Sequence, residues 1–222
     1  VDKIIFSSDF QTRKINNNKI LNTYKDKIQT LPKDKFKNKY DSFRTQGIVI
    51  YFNYKIYNYL PEETTDSNDK CYVILDSIKD PQNLGQILRT SECAGVSGVI
   101  IPDRRSVSIT STVLQVSQGA FCNLNIIISK NIKYSINELK ENRYWIIGIE
   151  NSINSENWYQ MDMTGKIAFV FGSEGEGIRE IIKKYCDYLA TIPMLGKINS
   201  LNISATVSAI LFERNRQNLE GK

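Results

Sequence analysis

The chain has 222 residues, 41% of them hydrophobic and 24% charged, with 29 Lys and Arg against 24 Asp and Glu and no histidine. That length holds one good-sized core with room for a small appendage, and no apolar run is long enough to span a bilayer. Without histidine, Ser-His-Asp and Cys-His hydrolases and His-based metal sites are excluded, so any chemistry rests on carboxylate, amide, hydroxyl and guanidinium groups.

The four cysteines, Cys71, Cys93, Cys122 and Cys186, stand far apart without a C-x-x-C pair. They suggest neither a zinc site nor a disulfide framework, and free thiols in a reducing intracellular compartment are expected, with no metal. The first residue is Val1, which reads as a processed or excised product. Any targeting segment is then expected to have been removed, and cytoplasm and organelle both stay open. Residues 1–40 hold ten Lys and Arg against four Asp and Glu, leaving nineteen against twenty for the rest. The basic excess is therefore all N-terminal, fitting either a face for RNA phosphates or a solvated lead-in.

Residues 1–61 pattern weakly, interrupted by Ile48 to Phe52 and Ile56 to Leu60, which read as two strands separated by a turn. Residues 62–70 are polar and aperiodic, so a linker and a domain boundary are expected there. Residues 71–222 are regular. Cys71 to Leu75 predicts a buried strand. Asp80-Pro81 supplies an N-cap and a first helical residue, and Leu84, Ile87, Leu88 and Ser91 recur at helical spacing up to Gly95. Val99 to Ile101 predicts a second strand, Thr110 to Ser117 a helix and Leu124 to Ile128 a third strand. Ser135-Ile-Asn-Glu138 has the pattern of a capping box that opens another helix. Tyr144 to Ile149, Ile167 to Phe171 and Tyr188 to Ile192 predict further strands, and Gly177 to Tyr185 and Leu201 to Arg216 predict helices. Strands alternating with helices imply an α/β fold, a mainly parallel sheet flanked by helices.

Two segments stand out: Phe169-Val-Phe-Gly172-Ser-Glu174-Gly-Glu-Gly177 and Ile192-Pro-Met194-Leu-Gly196-Lys-Ile-Asn-Ser200-Leu201-Asn202. In each, an apolar strand breaks into a loop of Gly and small polar residues that leads to a helical stretch, and two such loops side by side make a ligand pocket. The turn after the first regular strand, Ser77 to Gly85, lacks the G-x-G-x-x-G of a dinucleotide-binding fold, which argues against a dehydrogenase. Glu174 and Glu176 would repel a phosphate, so a neutral or cationic ligand suits the loop at 172–177 better. On generic grounds Asn83 and Arg89 would be a capping amide and a solvent-facing cation.

Together with Asp80-Pro-Gln-Asn83-Leu-Gly85-Gln-Ile-Leu-Arg89, these two segments resemble the three motifs of the SpoU (TrmH-like) RNA ribose 2′-O-methyltransferases of the SPOUT class, over roughly Tyr72 to Gln217. The resemblance implies a C-terminal trefoil knot, S-adenosylmethionine as cofactor, RNA as substrate and a homodimer. It places Asn83, Arg89, Glu174, Ser200 and Asn202 at the catalytic centre and Gly172, Ile192, Met194, Gly196 and Leu201 in the cofactor pocket. Arg89 is read as an anchor for developing negative charge or a phosphate, since a guanidinium is a poor base, and it can serve the partner's site. Arg44-Thr-Gln-Gly-Ile-Val49 resembles the end of the L30e-like RNA-binding domain that precedes the catalytic domain in many members, making residues 1–61 an incomplete N-terminal region. The motif wording is closer to the branch that methylates a guanosine of large-subunit rRNA (RlmB-like) than to the tRNA branches. A tRNA ribose methyltransferase and an inactive RNA-binding assembly factor on the same fold are the alternatives.

Overall fold

The structure, a computed structural model, describes residues 1–10, 18–40, 45–62, 69–151 and 155–220. It divides into two compact units, Val1–Lys55 and Ile56–Lys222.

The first unit carries β1 (Lys3–Ser7), α1 (Asn18–Thr23), β2 (Ile28–Leu31), α2 (Lys33–Tyr40) and β3 (Ile48–Tyr51). β1 is central, parallel to β2 and antiparallel to β3. Phe36 and Tyr40, four apart on α2, turn inward onto Ile5, with Leu31 and Val49 packed around them. Lys33, Lys35, Lys37 and Lys39 of the same helix stay exposed. The described residues of this segment form a small folded unit with a basic helix. Arg44 lies outside the described residues.

Ile56 to Leu60 is not a strand. Only Tyr57 pairs, its N–H donating to Ile126 O at 2.9 Å and its carbonyl accepting from Ile128 N at 2.8 Å, and with Leu60 it packs on the core of the second unit. Apolar side chains that look like strand alternation are used here to strap a segment onto another sheet. The two units therefore part before this run instead of after it. Of the expected linker, residues 63–68 lie outside the described residues, and Lys70 already belongs to a strand.

The second unit runs β4 (Lys70–Leu75), α3 (Pro81–Cys93), β5 (Gly98–Pro102), α4 (Ser111–Val116), β6 (Asn125–Ser129), α5 (Ile132–Glu141), β7 (Trp145–Ile149), β8 (Glu156–Asn157), β9 (Lys166–Phe171), α6 (Glu180–Lys183), β10 (Tyr188–Thr191) and α7 (Ile203–Glu220). Its seven strands lie in the order β6-β5-β4-β9-β7-β10-β8 and every pair is parallel. The central strands read as unbroken apolar runs because both faces are covered. Tyr72, Ile74, Ala168 and Val170 pack with Ile132, Ile136 and Leu139 of α5 on one face. Val73, Leu75, Phe169 and Phe171, all fully buried, alternate to the other. α3 packs against both α4 and α7.

Asp80 caps α3 by accepting the Gln82 N–H at 2.9 Å, with Pro81 at the first helical position. α5 starts four residues earlier than the capping-box pattern placed it. Asn131 is its cap, and buried Ser135 instead shares a 2.7 Å hydrogen bond with Ser129. Among the described residues no helix is long and apolar enough to cross a membrane.

The strand order positions the site. β9 inserts between β4 and β7, and β10 between β7 and β8. Since all are parallel, the carboxyl ends of β4, β9, β7 and β10 lie side by side, where ligands bind in open α/β sheets.

Candidate active site

Beyond β9 the chain forms an arch. Ser173 N donates to Gly177 O at 3.1 Å and Gly177 N donates back to Ser173 O at 3.0 Å. A Cβ on Gly172 would fall 2.0 Å from the Gly177 carbonyl carbon, so only glycine lets the two limbs approach.

Two carboxylates brace the far limb. Asp76, fully buried at the end of β4, accepts the Arg179 backbone N–H at 3.0 Å and the Arg179 Nε–H at 2.8 Å, and its Oδ1 lies 2.6 Å from the second guanidinium nitrogen. Glu150, at the end of β7, accepts the Ile178 N–H at 3.0 Å and pairs with Lys183. The hydrogen bonds that the Lys183 ammonium donates to Glu150 and Glu180 hold its pKa above the usual lysine range. The helix expected over Gly177 to Tyr185 is shortened to α6, because Gly177 is tied into the arch and Arg179 has non-helical backbone at the cap position.

Side chains from three distant parts of the chain meet over this arch. Asn83 on α3 donates from Nδ2 to Glu174 Oε1 at 2.9 Å. Asn202 Nδ2 donates to that same oxygen at 3.0 Å and to Asn83 Oδ1 at 3.0 Å. The triangle is oriented from outside as well, because Asn202 Oδ1 accepts the Ser204 N–H at 2.9 Å in the first turn of α7. Asn202 spends both of its N–H groups in the triangle and accepts from the Ser204 N–H and hydroxyl, whereas Asn83 has one N–H and one oxygen lone pair beyond these bonds.

Beside the triangle lies a cavity of about 230 Å³ whose walls include Ile149, Glu150, Gly172, Ser173, Ile192, Met194, Ser200 and Leu201. Four of the five residues expected in the cofactor pocket line it, as does Ser200. Gly196 does not. A smaller cavity of about 180 Å³, bounded by Ser77, Lys79, Asp80, Asn83 and Glu174, adjoins it across Ser173 and Ile203, which line both. The larger cavity combines apolar side chains with exposed loop backbone, and its walls carry one carboxylate, already paired with Lys183, and no Lys or Arg. That donor set fits a cationic or neutral ligand such as S-adenosylmethionine and disfavours a phosphate-bearing one.

Arg89 is not part of this assembly within one chain. Six residues along α3 from Asn83 it has turned by about 240° and risen by about 9 Å. It lines a different cavity, of about 440 Å³, with Gln86, Thr90, Cys93, Val116, Gln118 and Phe212. Its side chain is exposed and forms no hydrogen bond or ion pair with the described residues. The sequence reading missed Asp76, Glu150 and Ser173, although an acid ending a wholly apolar strand was the available signal for the first two.

Residues 70–212 match the SpoU rRNA Methylase family. The chain is 37% identical over 218 residues, covering 96% of it and 87% of its relative, to a Staphylococcus saprophyticus protein that carries the TrmH family tRNA/rRNA methyltransferase name. The fold is similar to that of the SpoU methyltransferase AviRb from Streptomyces viridochromogenes in complex with AdoMet, with a TM-score of 0.83 at 19% identity over 100% of this chain and 84% of that one. The TrmH/SpoU tRNA modifying enzyme of A. aeolicus superimposes with a TM-score of 0.63 at 27% identity, covering 70% of this chain and 78% of that one. With both a family match over most of its second unit and relatives matched along nearly all its length, this chain belongs to the SpoU methylase family.

Proposed function

We propose that the protein methylates a ribose 2′-oxygen of RNA, with S-adenosylmethionine as donor and a guanosine of large-subunit rRNA as the acceptor. The observation that carries this reading is the Asn83–Glu174–Asn202 triangle, two of whose members line a small cavity that adjoins, across Ser173 and Ile203, a larger one free of Lys and Arg. Gly172, Ile192, Met194 and Leu201, with the loop backbone, hold the cofactor. When bound, S-adenosylmethionine supplies a methyl group already activated by its positive sulfur. The chain's task is then to hold the ribose in line and let its proton leave. Asn83, Ser200 and Asn202 position the ribose, and Glu174 fixes both amides through one oxygen. The trefoil knot expected from the resemblance belongs to this reading.

Arg89 stabilises the developing alkoxide or holds the neighbouring phosphate. Its distance from the triangle's face of α3, its exposure and the half-exposed Phe212 beside it support a homodimer in which Arg89 serves the partner's site. The basic α2 helix, in what is read as an L30e-like region, adds sequence-independent RNA affinity.

Methylation of rRNA and of tRNA with labelled cofactor, followed by mapping of the modified nucleotide, tests the reading. Label in a guanosine 2′-O-methyl of rRNA is expected, and label confined to tRNA or to a base atom overturns it. Arg89→Ala should abolish transfer with cofactor affinity intact. Recovery of activity on mixing Arg89→Ala with Asn202→Ala chains is expected for a shared site.

A further inference from the structure

Glu150 stands where the two loops of the large cavity are rooted. Its backbone N–H donates to Ala190 O of β10 at 2.8 Å, tying it to the strand that leads into the loop at 192–202. The Ser155 hydroxyl donates to its carbonyl at 3.0 Å. Its side chain points the other way in the chain, to the arch. Oε2 takes the N–H of Ile178, a residue only 1% exposed, while the other carboxylate oxygen pairs with Lys183. Were that acceptor missing, a buried amide at the foot of the arch would have no partner, and the limb would shift to find one. The fit is also steric. A Cβ on Gly177 would lie 3.1 Å from Glu150 Oε2, so carboxylate and arch are in near contact.

Resting on the reading of this cavity as the cofactor's, we propose that Glu150 is a positioning residue for cofactor binding. Its carboxylate holds the Ile178 amide, and through it the arch from Gly172 to Gly177, in the shape that meets the cofactor. The acceptor geometry carries the effect, and the negative charge is secondary because Lys183 already neutralises it.

The test is calorimetric titration of S-adenosylmethionine into the full chain and its Glu150→Ala, Glu150→Gln and Glu150→Asp variants, with kcat and the KM for RNA measured alongside. Glu150→Ala should weaken cofactor binding about tenfold while the KM for RNA stays put. Glu150→Gln should recover most of the affinity, since its amide oxygen reaches the same N–H. Glu150→Asp keeps the charge but withdraws the acceptor by one methylene, and should bind worse than Gln. Wild-type affinity in the Ala variant, or Asp outperforming Gln, overturns the proposal, and the Asp–Gln order decides even if the Ala variant does not fold. A wild-type chain that binds neither S-adenosylmethionine nor S-adenosylhomocysteine refutes the function proposed above, an outcome distinct from these.

Discussion

The loop at 172–178 and the loop at 192–202 form the two walls of one cavity, yet the first is fastened along its length and the second mainly at its ends. In the first, reciprocal backbone bonds close the arch, and Asp76 and Glu150 take the amides that follow it. In the second, Leu195 is 99% exposed and Ile198 77% exposed, and Asn151 Nδ2 reaches Asn199 O at 3.2 Å. Its firm anchor is Asn202, where α7 begins. One wall is built before any ligand arrives, and that is where binding saves the cost of ordering. The other leaves apolar groups in water, ready to be covered.

The sharpest way to break this contrast is Asp76→Ala. Removing one partner of a buried ion pair leaves the other uncompensated, so stability should fall by about 3 kcal/mol, the low end of the usual range because the Arg179 side chain is one-third exposed. A urea titration reads this as a lowered midpoint, and an unchanged midpoint would show that the arch stands without its brace.

Asn202→Ala tests the link between the walls. It removes both amide bonds to the triangle, and turnover should drop about a hundredfold, or about 2.7 kcal/mol, with cofactor affinity retained. Full activity would mean that the triangle is packing and not machinery. Gly172→Ala forces the arch apart and should cost about 1–3 kcal/mol, seen first as weaker cofactor binding in calorimetry. Least of all, Leu195→Ser should move stability by no more than about 0.5 kcal/mol. A larger change would mean that Leu195 is covered in the assembled protein.

Sequence patterning located the large sheet because its strands are buried on both faces and so leave continuous apolar runs, and it located α3 because Asp80-Pro81 and the spacing of Leu84, Ile87 and Leu88 agree. It failed where a few residues do the work. Ile4, Ile5 and Phe6 build a central strand from too short a run to register among lysines and asparagines, and β8 pairs through two residues alone. Ile56 to Leu60 alternates like a strand, but its contacts lie on a sheet far along the chain. The site shows the same division. Asn83, Glu174 and Asn202 were legible through likeness to known motifs, whereas no spacing rule joins positions 91 and 28 residues apart. Arg89 comes from the same likeness, and within one chain it lines a different cavity on another face of α3, six residues along from Asn83.

Asn202 has a double duty with a practical consequence. The side chain that closes the triangle also caps α7, an 18-residue helix whose Val207, Ile210 and Leu211 are buried. The reactive assembly is thus mounted on the end of a long lever whose bearings lie deep in the protein. A methyl group trimmed from Val207 or Leu211 leaves a small void under that lever and should shift it at a cost of about 0.5–1.5 kcal/mol, too little to unfold the chain. Mutational scans of this protein should therefore find inactive yet well-folded variants at the buried positions of α7.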